Sequence, residues 1–284
     1  MDSSQKGNSV SNQARTIEDH ILRYGWIAGL LAAGISLAAM QGAQSPVPIP
    51  VVGASIQNGD AGNSTANGPG PAELLVAFRH VEVASVSDAI EQLLGRRAYL
   101  SHRLQPLFPT RFAGYAVTVR MEKQENRDPH AVDGMLQAID RGEKNSVYVM
   151  SIEDGANIAD MGGLMGTAMA ARDFSGAIID GAVRDTAYLR KIGFPVYATG
   201  IAPSTLVGHY RCTGTQAPVV IDGVTIHAGD IVTADDDGVV IVPRDRAEEV
   251  LRLAQQLDFK EHSMYPLIEK TKSIELAVQQ FGRL

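Results

Sequence analysis

The stretch SGAIIDGAVRDTAYLRKIGFPVYATG, residues 175–200, constrains the fold more than any other segment. An apolar run ends at a tight turn, a helical stretch follows, and a second apolar run closes the unit, so the pattern is buried strand, turn, helix, strand. Arg184 and Asp185 stand side by side where the turn enters the helix. Adjacent residues on a helix do not face each other, so the pair is a poor salt bridge and needs another reason to be there.

The same alternation extends through the chain. VASVSDAIEQLLG (83–95) reads as a helix, with Ser85 or Ser87 placed to cap free amides and Asp88 near the positive end of the dipole. FAGYAVTVRM (112–121) and NSVYVMSI (145–152) read as strands, and DPHAVDGMLQAID (128–140) as a helix. Residues 218–243 form a run of short strands with turns at DG and AGD, and the helical pattern over 245–282 is expected to break near Pro266. Helices with parallel-type strands, then a strand-rich segment, make a layered mixed α/β domain.

The front of the chain stays outside that domain. Residues 24–43, YGWIAGLLAAGISLAAMQGA, carry no charge, and their apolar centre has the length of a signal-peptide core. The segment is barely long enough to span a bilayer, and acidic residues accompany the basic ones before it. A cleaved signal, a retained anchor, and a helix of a soluble protein or a misassigned start codon all fit. The first two direct the chain out of the cytoplasm, with membrane contact through the leader only; without a working leader the protein is cytoplasmic. Residues 44–72 are rich in proline, glycine, asparagine and serine without apolar period, as in a flexible tether. The expected organisation is a leader over 1–43, a linker over 44–72 and one domain over 73–284.

A net charge of −7 gives no general basic footprint for nucleic acid, and the single cysteine, Cys212, excludes an internal disulfide and a cysteine-based zinc cluster. Two segments remain as carriers of chemistry. GGLMGT (162–167) opens a helix with little side-chain bulk, which suits either an amide cradle for an anionic oxygen or close helix packing. DGAVRD (180–185) ends a buried strand, where open α/β sheets place ligands. There a carboxylate can hold a divalent cation and an arginine can stabilise developing negative charge, or Asp185 can simply cap the next helix with Arg184 in solvent. Asp235, Asp236 and Asp237 lie in a strand–turn–strand and read as structural. His209 and His227 have no partner at metal-ligand spacing.

The stretch GGLMGTAMAARDFSGAIIDGAVRDTAYLRKIGFPVYATGIAP closely resembles the RraA-like family, which includes 4-hydroxy-4-methyl-2-oxoglutarate aldolases and the regulator of ribonuclease E activity. VASVSDAI, LQPLFPTRFAGYAVTVR and GDIVTADDDGVVIVP fit the same family in the same order, so the resemblance covers residues 73–284. It implies a swivelling β/β/α layered domain assembled as a homo-oligomer, a trimer or a pair of trimers, with sites between protomers. For the aldolase members it also implies a magnesium or manganese ion and small 2-oxo-acid substrates that pass through a pyruvate enolate.

Carried over by position, the resemblance makes Asp185 the metal ligand and Arg184 the catalytic residue that stabilises the enolate. Gly162, Gly163, Leu164 and Met165 then bind the substrate with Arg184, the amides of the last three holding its carboxylate, and Glu261 is the candidate contributed by a neighbouring subunit. One departure stands out: the acidic residue that aldolase members carry twenty-one positions before the arginine is Gly163 here, with Asp160 three residues away. The expected function is a metal-dependent lyase, by aldol cleavage or oxaloacetate decarboxylation. The alternative is a non-catalytic binding or regulatory protein.

Overall fold

Two helices, α1 (Pro71–Phe78) and α2 (Val83–Leu94), open the part of the chain that the computed structural model describes, residues 70–282. The leader and all but the last residues of the expected tether lie outside the described residues. A short β1 (Gln105–Pro106) and a long β2 (Phe112–Lys123) come next, followed by α3 (Asp133–Arg141), β3 (Ser146–Ile152) and β4 (Ala159–Met161). The central unit is α4 (Gly163–Ala171), β5 (Gly176–Val183), α5 (Thr186–Ile192) and β6 (Val196–Ile201). β7 (Tyr210–Thr215), a hairpin of β8 (Val219–Ile221) and β9 (Val224–Ile226), and the pair β10 (Ile231–Asp235) and β11 (Gly238–Val242) follow. The helices α6 (Ala247–Thr271) and α7 (Ile274–Phe281) close the chain.

Nine strands form one sheet in the order β1–β6–β5–β3–β2–β10–β11, with β4 beside β5 and β7 beside β2. β2, β3, β5 and β6 run parallel, and β10 and β7 pair antiparallel with opposite halves of β2. The sheet comes close to closing on itself. Residues 98–100 hydrogen-bond to β11 through Leu100 N–Val239 O and Ile241 N–Ala98 O, each 2.9 Å, and the same segment leads into β1 on the opposite edge. The Tyr197 hydroxyl of β6 donates across the interior to the Asp235 carbonyl of β10. The result is a mixed α/β fold built on a nearly closed, barrel-like sheet.

The two-residue period of the strands sorts the core. Val147 and Val149 of β3, with Ile178 of β5, point into the barrel, where the β8–β9 hairpin adds Val219 and Ile221. Tyr148, Met150 and Ile179 point the other way, against Met135 of α3, Met169 of α4 and Leu189 of α5. A separate cluster joins α1, α2 and α6 to the ends of β10 and β11.

Close approach of α4 to α5 sets up the functional region. A Cβ on Gly166 would fall 2.3 Å from Leu189 Cδ2, so only glycine lets the helices pack this tightly. Leu189 is fully buried there, worth roughly 2 kcal/mol of apolar transfer. This places the starts of both helices together beyond the carboxyl end of β5.

Three local expectations fail for physical reasons. Ser85 and Ser87 do not cap α2, which begins earlier; the free amide of Val83 bonds instead to Asp235 Oδ2 of β10 at 3.0 Å. The third helix starts at Asp133, because Asp128 folds a turn by accepting from the His130 amide. α6 continues through Pro266, whose missing bond falls on the exposed side at His262, and ends at Lys272 in a left-handed conformation. Among the described residues no helix is long and apolar enough to cross a membrane.

Candidate functional site

Arg184 and Asp185 follow the last residue of β5, and the Arg184 amide bonds to Met161 O of β4 at 3.0 Å, fixing the turn. Asp185 occupies the N-cap position of α5 with φ 56° and ψ 32°, the left-handed region that aspartate tolerates better than most residues at a cost of about 1 kcal/mol. Its side chain makes no capping bond to its own helix. Oδ2 instead accepts from the Gly163 amide at the start of α4, at 2.9 Å.

Arg184 is not simply solvated. Its Nη1 donates to Ser204 O at 3.0 Å, and Nε lies 3.9 Å from Asp185 Oδ2, too far for a tight pair. The helix-cap reading therefore holds only in part: Asp185 stands at the N-cap position and Arg184 is exposed, but the Asp185 side chain does not cap its own helix and Arg184 is tied to Ser204 O. The two side chains are held by different outside partners, Asp185 at the cleft and Arg184 beside it through Ser204 O.

Asp185, Gly163, Leu164, Thr167, Thr186, Ala187 and Tyr188 line an open cleft of about 560 Å³. Gly162 keeps it clear, since a Cβ there would come 2.7 Å from Asp185 Oδ2. The first-turn amides of α4 are divided. That of Gly163 is taken by Asp185, and that of Gly166 closes the helix onto Gly162 O, which leaves Leu164 and Met165 as the donors without a helical partner. Among the described residues Asp185 Oδ1 makes no hydrogen bond, so one carboxylate oxygen and the Leu164 amide are free at the cleft, while Met165, buried in the core, does not line it.

The remaining candidates lie elsewhere. Asp160 is 1% exposed, with neither carboxylate oxygen hydrogen-bonded. Its carboxylate packs against the space beside Gly181 and Gly155, not in the cleft. Burial, with Asp180 nearby, pushes its pKa up to about 8. Glu261 sits on α6, where it accepts from the Tyr265 hydroxyl at 3.0 Å, on none of the elements around the cleft. Asp235 and Asp236 are engaged by backbone amides: Asp235 by Val83 and Asp237, Asp236 by Thr110. His209 faces Glu125 and His227 faces Asp230, each as an isolated pair. Burial raises the Cys212 thiol pKa, as expected of a packing residue.

Sequence reasoning missed Thr167, Tyr188 and Ser204. The first two had a readable signal. Thr167 is four residues after Gly163 and Tyr188 three after Asp185, spacings that return a side chain to the same helix face. Ser204 had none, because it reaches Arg184 from a loop.

The family model described as RraA-like, Aldolase/RraA, matches residues 83–241, which include the whole cleft but not α6. Protein DlpA of Legionella pneumophila is 29% identical over 217 residues, covering 73% of this chain and 34% of its own length, so the chain spans about a third of that relative. A protein of Halalkalibacterium halodurans named "Putative 4-hydroxy-4-methyl-2-oxoglutarate aldolase" is 25% identical over 188 residues, 65% of this chain and 83% of that one. Among solved structures, an uncharacterized protein from Pseudomonas syringae pv. tomato superposes with a TM-score of 0.67 at 29% identity, covering 75% of this chain and 96% of its own. With more than half of its length matched and the fold shared, the chain belongs to the RraA-like (Aldolase/RraA) family.

Proposed function

We propose that the protein is a divalent-metal-dependent lyase acting on small 2-oxo acids and releasing pyruvate through its enolate. The reactions are aldol cleavage of 4-hydroxy-4-methyl-2-oxoglutarate, decarboxylation of oxaloacetate, or both. One observation carries the reading: Asp185 has one oxygen pinned by the Gly163 amide and the other free, beside Arg184, in an open cleft. The relative from Halalkalibacterium halodurans, by its name, supports the same class.

A magnesium or manganese ion that keeps several waters needs only one or two carboxylates, the rest of its shell coming from water and substrate. Asp185 meets that demand and is the residue that would hold it; bound there, the ion supplies Lewis-acid polarisation of the substrate's keto group. The Leu164 amide, at the positive end of α4, receives the substrate carboxylate. Arg184, anchored through Ser204, stabilises the negative charge that develops on the keto oxygen as the carbon–carbon bond breaks, and the enolate then takes a proton to give pyruvate. Opposite charges stand side by side because both address one oxygen of the substrate.

Aldol cleavage has a further demand, since the hydroxyl at the breaking bond must lose its proton. Gly163 offers no side chain for this, and Glu261 of a second copy is the group we assign to it. Assembly as a trimer or a pair of trimers suits that role, and Leu164, 90% exposed at the cleft, suits cover by another subunit. The uncharged segment over residues 24–43 supports export or membrane anchoring, which mass spectrometry of the mature N-terminus checks. An intact Met1 on a soluble cytoplasmic protein would rule export out.

Gly163 also favours a second reading, a binding protein that keeps the site without turnover. Rates of pyruvate release from both oxo acids, with and without manganese or magnesium, separate the two. Metal-dependent release supports the lyase, and none from either acid in any metal leaves the binding protein.

A further inference from the structure

The loop after β6 reaches Arg184 through one residue, and that residue is tied to two other segments. Ser204 O accepts from Arg184 Nη1 at 3.0 Å. Ser204 Oγ accepts from the Ala159 amide and donates to the Asn157 carbonyl, each at 3.0 Å. A hydroxyl has one proton to give, and here backbone groups answer both its giving and its accepting, which holds the side chain in one rotamer. Asn157 ends the short turn Gly155–Asn157, and Ala159 opens β4. The same stretch holds the backbone around Arg184, since Ala182 N bonds to Ile158 O at 3.2 Å and Arg184 N to Met161 O at 3.0 Å. One strand therefore fixes the Arg184 backbone directly and its guanidinium through Ser204.

The hydroxyl makes the Ser204 carbonyl a fixed point. The loop is secured at its two ends, where Ala202 N bonds to Val183 O at 3.1 Å and Leu206 is buried in the core. Between them, the Ser204 hydroxyl makes both bonds that tie the loop to the start of β4. Without it the loop keeps its course, but its carbonyl is free to shift. Arg184 has little else to set its direction. Gly162 flanks it, with a Cβ there falling 3.0 Å from Arg184 Cγ and 3.2 Å from Nε, and Asp185 Oδ2 is 3.9 Å from Nε, beyond a hydrogen bond.

We propose that Ser204 is a positioning residue whose hydroxyl, by clamping the loop to β4, holds the carbonyl that aims the Arg184 guanidinium at the charge developing on the substrate oxygen. The inference rests on the lyase reading of the cleft and adds a residue that acts through Arg184 without touching substrate. A guanidinium displaced by about an ångström stabilises a developing charge poorly, while binding of the uncharged keto group loses little.

The test uses the full chain with manganese, the oxo acid that the parent turns over, and oxalate, a planar dianion shaped like the pyruvate enolate. Ser204→Ala should lower kcat about ten- to hundredfold with KM near the parent's. It should weaken oxalate about tenfold by calorimetry and leave pyruvate binding unchanged. Ser204→Thr keeps a hydroxyl that can give and accept, and should restore both. Added to Arg184→Ala, the Ser204→Ala change should alter neither turnover nor oxalate binding, because the group it acts through is gone. A Ser204→Ala protein that matches the parent in both readouts overturns the proposal. So does a loss just as large on the Arg184→Ala background, which would mark the hydroxyl as a support of the fold alone. No metal-dependent pyruvate release by the parent from either acid removes the lyase reading itself, and the proposal with it.

Discussion

Two acidic turns at strand ends meet opposite fates in this molecule. In the turn between β10 and β11, Asp235 is buried, and both of its oxygens accept from backbone amides, Oδ2 from Val83 and Oδ1 from Asp237, while Asp236 takes the Thr110 amide. In the turn after β5, Asp185 is exposed, and only Oδ2 is engaged. The first cluster has three consecutive carboxylates and looks more like a metal site in sequence; the second has one. What separates Asp235 from Asp185 is the number of oxygens the chain itself uses up; Asp236, exposed and engaged through one oxygen, resembles Asp185 in that respect. A buried carboxylate with each oxygen held by a backbone amide is a fold-holding group, and an exposed one left with a free oxygen in an open cleft is available to a ligand.

Substitution at each turn sharpens the contrast. Asp185→Ala should abolish metal-dependent turnover and manganese binding while lowering the melting temperature by only roughly 2–4 °C, for the lost Gly163 bond and an alanine in the left-handed region. Arg184→Lys should keep manganese binding and lower turnover on the order of a hundredfold, since lysine keeps the charge but loses the planar fork that reaches both Ser204 and the substrate. Manganese titration beside steady-state rates reads both. If Asp185→Ala binds manganese as tightly as the parent, the contrast between the turns loses its basis.

Asp235→Ala should do the reverse. It leaves the buried Val83 amide without its acceptor, at about 1–3 kcal/mol, while the part-buried Asp237 amide can turn to water. For a domain of this size that lowers the melting temperature by roughly 5–10 °C. Manganese binding per folded molecule should not change. A thermal melt that matches the parent would show that water replaces the carboxylate without loss.

A third carboxylate, Asp160, tests the rule from the other side, because it is buried and neither of its oxygens has a partner among the described residues. Its folded pKa is raised from 3.8 to about 8, chiefly by burial. Between those values the unfolded chain has released this proton while the folded one keeps it, so the folded state binds more protons and the group's contribution to stability falls as pH rises. Asp160→Asn cannot ionise. Its stability relative to the parent should increase from pH 4 toward pH 8 and level off above, a gain of ~1 kcal/mol or more at the plateau. Paired denaturant melts across that range measure it, and a difference independent of pH would mean that Asp160 is ionised in the fold.

How much was legible follows the range of the interactions. The strands and helices of the central unit were readable because apolar period and glycine position are local signals, as with Gly166 under Leu189. The structural role of the Asp235 turn was readable from its strand–turn–strand setting. The capping of α2 was not, since the group that answers Val83 comes from a strand 152 residues further along the chain. At the cleft, the pairing of Arg184 with Asp185 raised the right question, yet the left-handed backbone of Asp185 and its bond to Gly163 depend on two helices meeting. Pro266 misled because a proline signal overrides helical pattern only where the lost bond cannot face solvent.

The smallest expected effect is the most informative about the cleft itself. Gly163→Asp places a carboxylate where aldolase members of the family carry an acidic residue. Gly163 is not among the glycines with positive φ, so a side chain there meets no backbone penalty. Its Cβ would lie 3.2 Å from Tyr188 Cδ1 and 3.5 Å from Asp185 Oδ2, close enough that the ring must shift by a few tenths of an ångström. Two carboxylates would then face one another, a repulsion that a bound divalent cation relieves, so the variant should bind manganese more tightly than the parent. An acceptor for the proton of the breaking bond should raise aldol cleavage of 4-hydroxy-4-methyl-2-oxoglutarate by no more than about tenfold, below the usual range for a well-placed base, because the site was not shaped around it. Oxaloacetate decarboxylation needs no such acceptor and should barely move. If both activities fall together with the melting temperature, displacement of Tyr188 has outweighed the added group. A stable variant with tighter manganese binding and no gain in cleavage would show that the cleft works on acids whose bond breaks without a hydroxyl proton to remove.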